Sequence, residues 1–454
     1  MYVNDVEEFA LKTYIRKYLK IIKNLYLDKK AKDQEYAYMR VGAIDVLRGI
    51  FVVAALFIIN QGMESAVSSN LSISTWHGMT FADLVLPYFV LIMGMSIPFF
   101  VKKNYADGDL IIDIVKRVFV RFVIIFVIGI LYSVIFMEGR DSIRLTGPYQ
   151  LLAVDYLLVA LAYIGLLNLK IKNNALTYVF LIMAILVSCI MTLIAFINGY
   201  SMDKSAFIGI DRSVLGGFMS KSLADPEGLL AILAASPLGM IGISIACIFN
   251  KKPIKNKRYK KYTRPRMVNT YGFNRSNLWI DIKSWLNPKS LGSILSNYYR
   301  INDELKKLVN LALLSILMFI LSHISQIFIP LNRNVFSLTF VLRMAEYIYF
   351  ISMLAYLLCD IVGLSFGTSL LKRVGLNAVA IILLDTAVHE LIKFIHIKSI
   401  YTATWLPFNN WFTTDFILPI TGTDYASAIY SVFITVIWVL LFNLLEKYKL
   451  KINI

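Results

Sequence analysis

Two histidines stand where proton chemistry can use them. His77 follows Trp76 in the stretch SISTWHGMTFADLVLPYF, between two apolar runs, and Asp83 opens the second run. Imidazole takes up and returns protons near neutral pH, or accepts an acyl group as a nucleophile. His389 lies four residues after Asp385, so the two share a helix face, with Glu390 adjacent. An Asp behind a His orients the ring and raises its basicity. The same spacing also suits a hydrogen-bonded pair that holds helices together. Asn60 ends an apolar run and is followed by Gln61 and Gly62; Asp45 and Arg48 lie at the run's other end, at i and i+3. Such a pair can fix a helix end, or Arg48 can meet an anionic ligand such as a CoA phosphate. Arg343 and Glu346 repeat the spacing deeper in a run and read as a bridge inside a bundle.

The elements that position these groups are apolar runs near 44–61, 82–101, 114–136, 149–168, 175–197, 229–249, 308–329, 336–359, 374–395 and 426–445. Each approaches the roughly 20 residues that cross a hydrocarbon core as helix. The chain is 58% hydrophobic and 17% charged, which excludes an ordinary soluble domain. The expected fold is therefore an all-α polytopic membrane protein of about ten transmembrane helices. The net charge of +17 sits in a few loops, so it reports orientation rather than nucleic-acid binding. Lys102 and Lys103, Lys170 and Lys172, the stretch KKPIKNKRYKKYTRPR and the final LEKYKLKI all fall on one side. The positive-inside rule makes that side, with both termini, cytoplasmic. Residues 1–43 read as a cytoplasmic amphipathic segment, 44–250 as helices one to six, 251–307 as a basic cytoplasmic loop and 308–454 as helices seven to ten with a short tail. The charged opening MYVNDVEEFALKTYIRKYLK lacks a signal-peptide core, so the first span is expected to act as its own targeting signal. Cys189, Cys247 and Cys359 form no metal-ligand or disulfide spacing, and no metal is expected.

Several stretches, in order, resemble the heparan-α-glucosaminide N-acetyltransferase family of transmembrane acyltransferases. They are Arg40 with IDVLRGIFVV and Asn60–Gly62, WHGMTFADLVLPYFVLIMGMSIPF, RLTGPYQLLAVDYLL, GIDRSVLG, DPEGLLAILAA, IPLNRNVFSLTFVL and VGLNAVAIILL. The block around Trp76 together with DPEGLL is the most specific part. The family places a catalytic His three residues before that Trp, where this chain has Ile73. His77 stands directly after the Trp, as in many bacterial relatives, and Asn60 matches the family's Asn. Leu151 replaces an Arg usual after the Gln of the fourth-helix segment, and Met219 stands where another His is common.

The resemblance implies an enzyme that passes an acetyl or other acyl group from cytosolic acyl-CoA to an extracytoplasmic glycan or amino sugar, in a bacterial cytoplasmic membrane. Asp45, Arg48 and Asn377, at cytoplasmic helix ends, are the expected acyl-CoA contacts. A sugar amine attacks only when neutral, so a base is needed. His77 is the first candidate, Asn60 the donor to a developing oxyanion, and His389 with Asp385 the reserve. Trp76, Asp83, Asp211, Asp225 and Glu227 are the expected acceptor contacts. The expected partners are the lipid bilayer, acyl-CoA, the glycan and, as an option, a second copy of the chain. A transporter or flippase-like protein, or a non-catalytic partner in glycan assembly, stands as the alternative.

Overall fold

The structure, a computed structural model, describes residues 41–136, 144–169, 171, 173–218, 225–250, 303–364 and 367–447. Most of the expected N-terminal segment and basic loop, the tail, Arg40 and Met219 lie outside the described residues. The fold is all-α and polytopic. Among the described residues nine helices are long and apolar enough to span a membrane, and a bent pair raises this to ten if it crosses as one.

The apolar runs become α1 (Gly42–Ile59), α2 (Ala82–Ala106), α3 (Ile111–Phe136), α4 (Pro148–Asn168) and α5 (Asn173–Ala195). A short helix, α6 (Ala206–Leu215), lies in the loop before α7 (Leu229–Phe249). Then come α8 (Asp303–Phe328) and α9 (Leu338–Tyr356), the latter prolonged by a π turn over Leu357–Ile361. The run at 374–395 is two helices, α10 (Thr368–Leu376) and α11 (Ala378–Lys393), bent by 75° at Asn377. A two-stranded ribbon pairs β1 (His396–Lys398) with β2 (Trp405–Pro407), and α12 (Thr423–Lys447) closes the fold.

α7 is the central helix: 94% of its spanning window is buried, against 17% for the peripheral α3. Small residues let backbones meet where lipid supplies no hydrophobic drive. A Cβ on Gly94 of α2 would sit 2.1 Å from the Gly239 carbonyl oxygen of α7. The second close crossing explains the bend. A Cβ on Gly49 of α1 would lie 2.1 Å from the Leu371 oxygen, and one on Gly375 would lie 2.2 Å from the Asp45 oxygen. α10 therefore lies hard against the first half of α1, and the chain turns at Asn377 to continue as α11. Asp360 accepts from the Gly42 and Ala43 amides at 3.0 and 2.9 Å, satisfying two of the otherwise orphaned N–H groups at the start of α1. Arg343 and Glu346 pair at 3.6 Å, and Ser322 of α8 donates to Glu346 at 3.2 Å, so this pair does tie α9 to α8.

Candidate functional site

The loop before α2 is built to hold His77 still. Asp83, 1% exposed, accepts from the Ser74 and Thr80 amides and the Thr80 hydroxyl at 2.9–3.4 Å. It is a loop staple. Trp76 is buried and donates its indole N–H to the Tyr200 carbonyl at 2.8 Å. The Gly78 amide donates to the Leu331 carbonyl at 2.9 Å, and Gly78 bridges Asn332 in the turn between α8 and α9. His77, exposed at the rim, meets Asn332 Nδ2 at 3.3 Å through Nδ1 and lies near Trp76 and Phe196. Ile73 is also exposed on this loop, at 57%, and its side chain carries no proton-transfer chemistry.

Asn60 and Asp385 meet elsewhere. Asn60 Nδ2 donates to Asp385 Oδ1 at 2.8 Å and to the Leu56 carbonyl at 2.9 Å, with both residues buried. Its amide protons are thus both engaged, so Asn60 orients the carboxylate rather than facing a ligand as a spare donor. Beside them the Tyr149 and Thr386 hydroxyls stand 3.1 Å apart, and Tyr132 and Tyr430 lie within electrostatic reach of the same carboxylate. The end of α1 is fastened to α12, where Ser427 donates to Gln61 Oε1 at 3.0 Å and Ser431 bonds to the Phe57 carbonyl. His389 is half-buried one turn along α11. The hydrogen bond of Asp385 goes to Asn60, not to His389, and His77 belongs to the separate loop cluster.

The acids of the opposite loops fall into a third group. Arg144 binds Asp225 at 2.7 Å and Glu227 at 3.0 Å, Arg333 binds Glu227 at 2.7 Å, and Thr146 donates to Asp225 at 2.5 Å. Both acids are below a tenth exposed. The arginines join the start of α4, the start of α7 and the α8–α9 turn into one strut. Asp211 of α6 is also buried and accepts from the Leu230 amide at 3.3 Å. Burial pushes its carboxyl up to about 6, with Asp225 adding to the rise.

At the other end of α1, Arg48 Nη1 meets Asp45 at 3.2 Å and Nη2 meets the Ser96 hydroxyl of α2 at 2.5 Å. Asn377 donates to the Arg373 carbonyl at 3.3 Å. The Gly49–Gly375 crossing brings α10, and so Asn377, to the side of α1 that carries Asp45 and Arg48.

Asp155 of α4 was not singled out by the sequence reading. It is wholly buried, and neither carboxyl oxygen has a hydrogen-bond partner among the described residues. Its signal was present as one acid within LLAVDYLLVALA, an apolar run. An ionisable residue inside a span is a functional candidate by default.

Fold and site together define a polytopic helical membrane protein with a buried carboxylate–carboxamide pair and a histidine on a pinned loop. The chain is 20% identical over 390 residues to heparan-alpha-glucosaminide N-acetyltransferase of Homo sapiens, covering 75% of this chain and 52% of that protein. It is 29% identical over 140 residues to the Mus musculus protein of the same name, covering 30% of this chain and 21% of that protein. The relationship is distant, and the chain spans about half the length of the human relative. No family model matches the sequence.

Proposed function

We propose that the chain is a transmembrane acyltransferase that moves an acyl group, acetyl by its relatives, from cytosolic acyl-CoA to an extracytoplasmic amine or hydroxyl of a glycan. The observation that carries this reading is the buried 2.8 Å contact between Asn60 and Asp385. It puts a fixed proton acceptor at the C-terminal end of α1, the end that faces the acceptor in this reading. The acceptor amine, R–NH₃⁺, loses one proton to become nucleophilic. Attack on the thioester forms the amide bond and breaks the C–S bond, and the second amine proton leaves with the CoA thiol. Asp385 takes the first proton and Asn60 holds Asp385 in place.

Acyl-CoA enters at the cytoplasmic end of α1, where Arg48 presents a guanidinium beside Ser96, and Asn377 lines the adjoining bend. The Lys and Arg distribution supports a cytoplasmic position for the 251–307 loop and both termini. The rim loop bearing Trp76 and His77 then faces the acceptor; Asp225 and Glu227 shape its floor through their ion pairs, and Asp211 through its bond to the Leu230 amide. The test is transfer of label from acetyl-CoA to an amino-sugar acceptor in membrane vesicles. Loss of transfer in Asp385→Asn with acyl-CoA binding retained fits the proposal. Unchanged transfer removes Asp385 from the chemistry.

A second reading, a transporter-like protein on the same fold, is favoured by the resemblance, which implies a catalytic His at the position where this chain has Ile73. Failure of the folded protein to bind acetyl-CoA selects it.

A further inference from the structure

The hydrogen-bond pattern around His77 fixes which ring nitrogen carries the proton. Asn332 is fully buried and held on every polar edge. Its amide N–H donates to the Ser337 hydroxyl at 3.1 Å, and its carbonyl accepts from the Ser337 amide at 3.0 Å. Its side-chain oxygen accepts from the Val335 amide at 3.1 Å. That last bond decides the orientation of the carboxamide. With Oδ1 turned to a backbone donor, Nδ2 is the end that faces His77 Nδ1, at 3.3 Å. Nδ2 has only protons to offer, so Nδ1 must be an acceptor, and in the neutral ring the proton resides on Nε2. The turn is not free to adjust. Gly78 is bonded to Leu331, and Phe336 is held at φ 46°, a conformation that persists in a non-glycine residue only where its surroundings impose it.

We infer that Asn332 is a positioning residue that makes His77 a hydrogen-bond donor through Nε2 and denies it the roles of general base and acyl-accepting nucleophile. Both of those roles need a bare nitrogen facing the reactants. Nε2 already carries its proton, and the lone pair of Nδ1 is directed at Asn332. What the ring can do is donate Nε2–H to an oxygen of the glycan acceptor at the rim, whose lone pairs can receive it. This deepens the acyl-transfer reading and rests on it for the identity of the acceptor oxygen, while the tautomer itself does not.

The test uses full-length protein in nanodiscs with ¹⁵N-histidine, the His77 signals being identified by their loss in His77→Gln. The expected wild-type spectrum shows Nε2 protonated and Nδ1 bare. In Asn332→Asp the side chain can still accept from Val335 but now accepts from His77 as well. The proton should move to Nδ1 and leave Nε2 bare. Carbethoxylation by diethyl pyrocarbonate, read by mass spectrometry of the peptide containing His77, should then rise several-fold over wild type. Wild-type His77 with its proton on Nδ1, or carbethoxylation equally fast in wild type and a folded Asn332→Asp, overturns the inference. If that variant does not fold, the wild-type spectrum alone decides. A protein with the Nε2–H tautomer but no acyl transfer upholds the inference and defeats the proposed function.

Discussion

Asn60, which caps the C-terminal end of α1, donates a 2.8 Å hydrogen bond to Asp385, which is 325 residues later in the chain. The bond joins the C-terminal end of α1 to α11, and both partners are buried. A carboxylate held by a carboxamide that also bonds to its own helix at Leu56 has little freedom to turn.

Replacement of either partner should therefore separate chemistry from position. Asp385→Asn removes the proton acceptor and should lower acyl transfer at least about 10²-fold, the lower end of what a placed base contributes. Asn60→Ala keeps the acid and loosens it, so a smaller loss is expected. Initial rates with labelled acetyl-CoA, normalised to folded protein, give both numbers. A larger loss in Asn60→Ala than in Asp385→Asn would contradict the assignment of the carboxylate as the acceptor.

The span edges were legible in the sequence because apolar length is a local property. α4 and α7 start within a residue of the runs that foretold them. The break at Asn377 was not legible. It arises because Gly375 must admit the backbone of α1, and nothing near residue 375 says which helix arrives. The same limit applies to the acids. The i,i+4 spacing of Asp385 and His389 is visible locally, whereas the competing partner Asn60 is distant in sequence. Asp225 and Glu227 find arginines 81 and 106 residues away, in two different loops. Ligand contacts and internal struts use the same residue types, and only the fold separates them.

Asp155 offers a test of stability without reference to catalysis. Its two oxygens are buried with no partner among the described residues. An unsatisfied buried polar group typically costs about 1–3 kcal/mol. Asp155→Leu replaces the two oxygens by methyl groups, removes that cost and should raise the midpoint of thermal unfolding in detergent. A lowered midpoint would mean that the carboxyl is satisfied, for example by internal water. A raised midpoint with lost transfer would mark Asp155 as a group kept for function at the expense of stability.

Asp211 should make stability depend on pH outside the hydrocarbon. Its carboxyl titrates at about 6 in the fold against 3.8 for the free group, because it is buried and lies near Asp225. The folded protein holds this proton more tightly than the unfolded chain does. The associated stabilisation is therefore complete below pH 3.8 and is lost as pH rises to about 6. The difference in unfolding midpoint between wild type and Asp211→Asn should change across that window and stay level above it. A difference that stays constant from pH 4 to pH 7 would show that Asp211 ionises in the fold as it does in the unfolded chain.

The bent pair α10–α11 decides the topology of everything after it. If the pair crosses as one span, the β1–β2 ribbon emerges on the side opposite the end of α2. If it is a re-entrant loop, the ribbon returns to the same side. Ile400, 82% exposed at the ribbon's turn, and Tyr105, 60% exposed in the last turn of α2, report the two cases. With Lys102 and Lys103 beside it, the end of α2 is expected in the cytoplasm by the positive-inside rule. In a background lacking Cys189, Cys247 and Cys359, Ile400→Cys should be labelled by an impermeant maleimide in intact cells, and Tyr105→Cys only after permeabilisation. Labelling of Tyr105→Cys alone in intact cells would invert the orientation. Protection of both would make the α10–α11 pair re-entrant. Asp385, on α11, would then approach Asn60 from a loop that enters and leaves through the cytoplasmic face, and the acceptor's route to that carboxylate would have to be sought there.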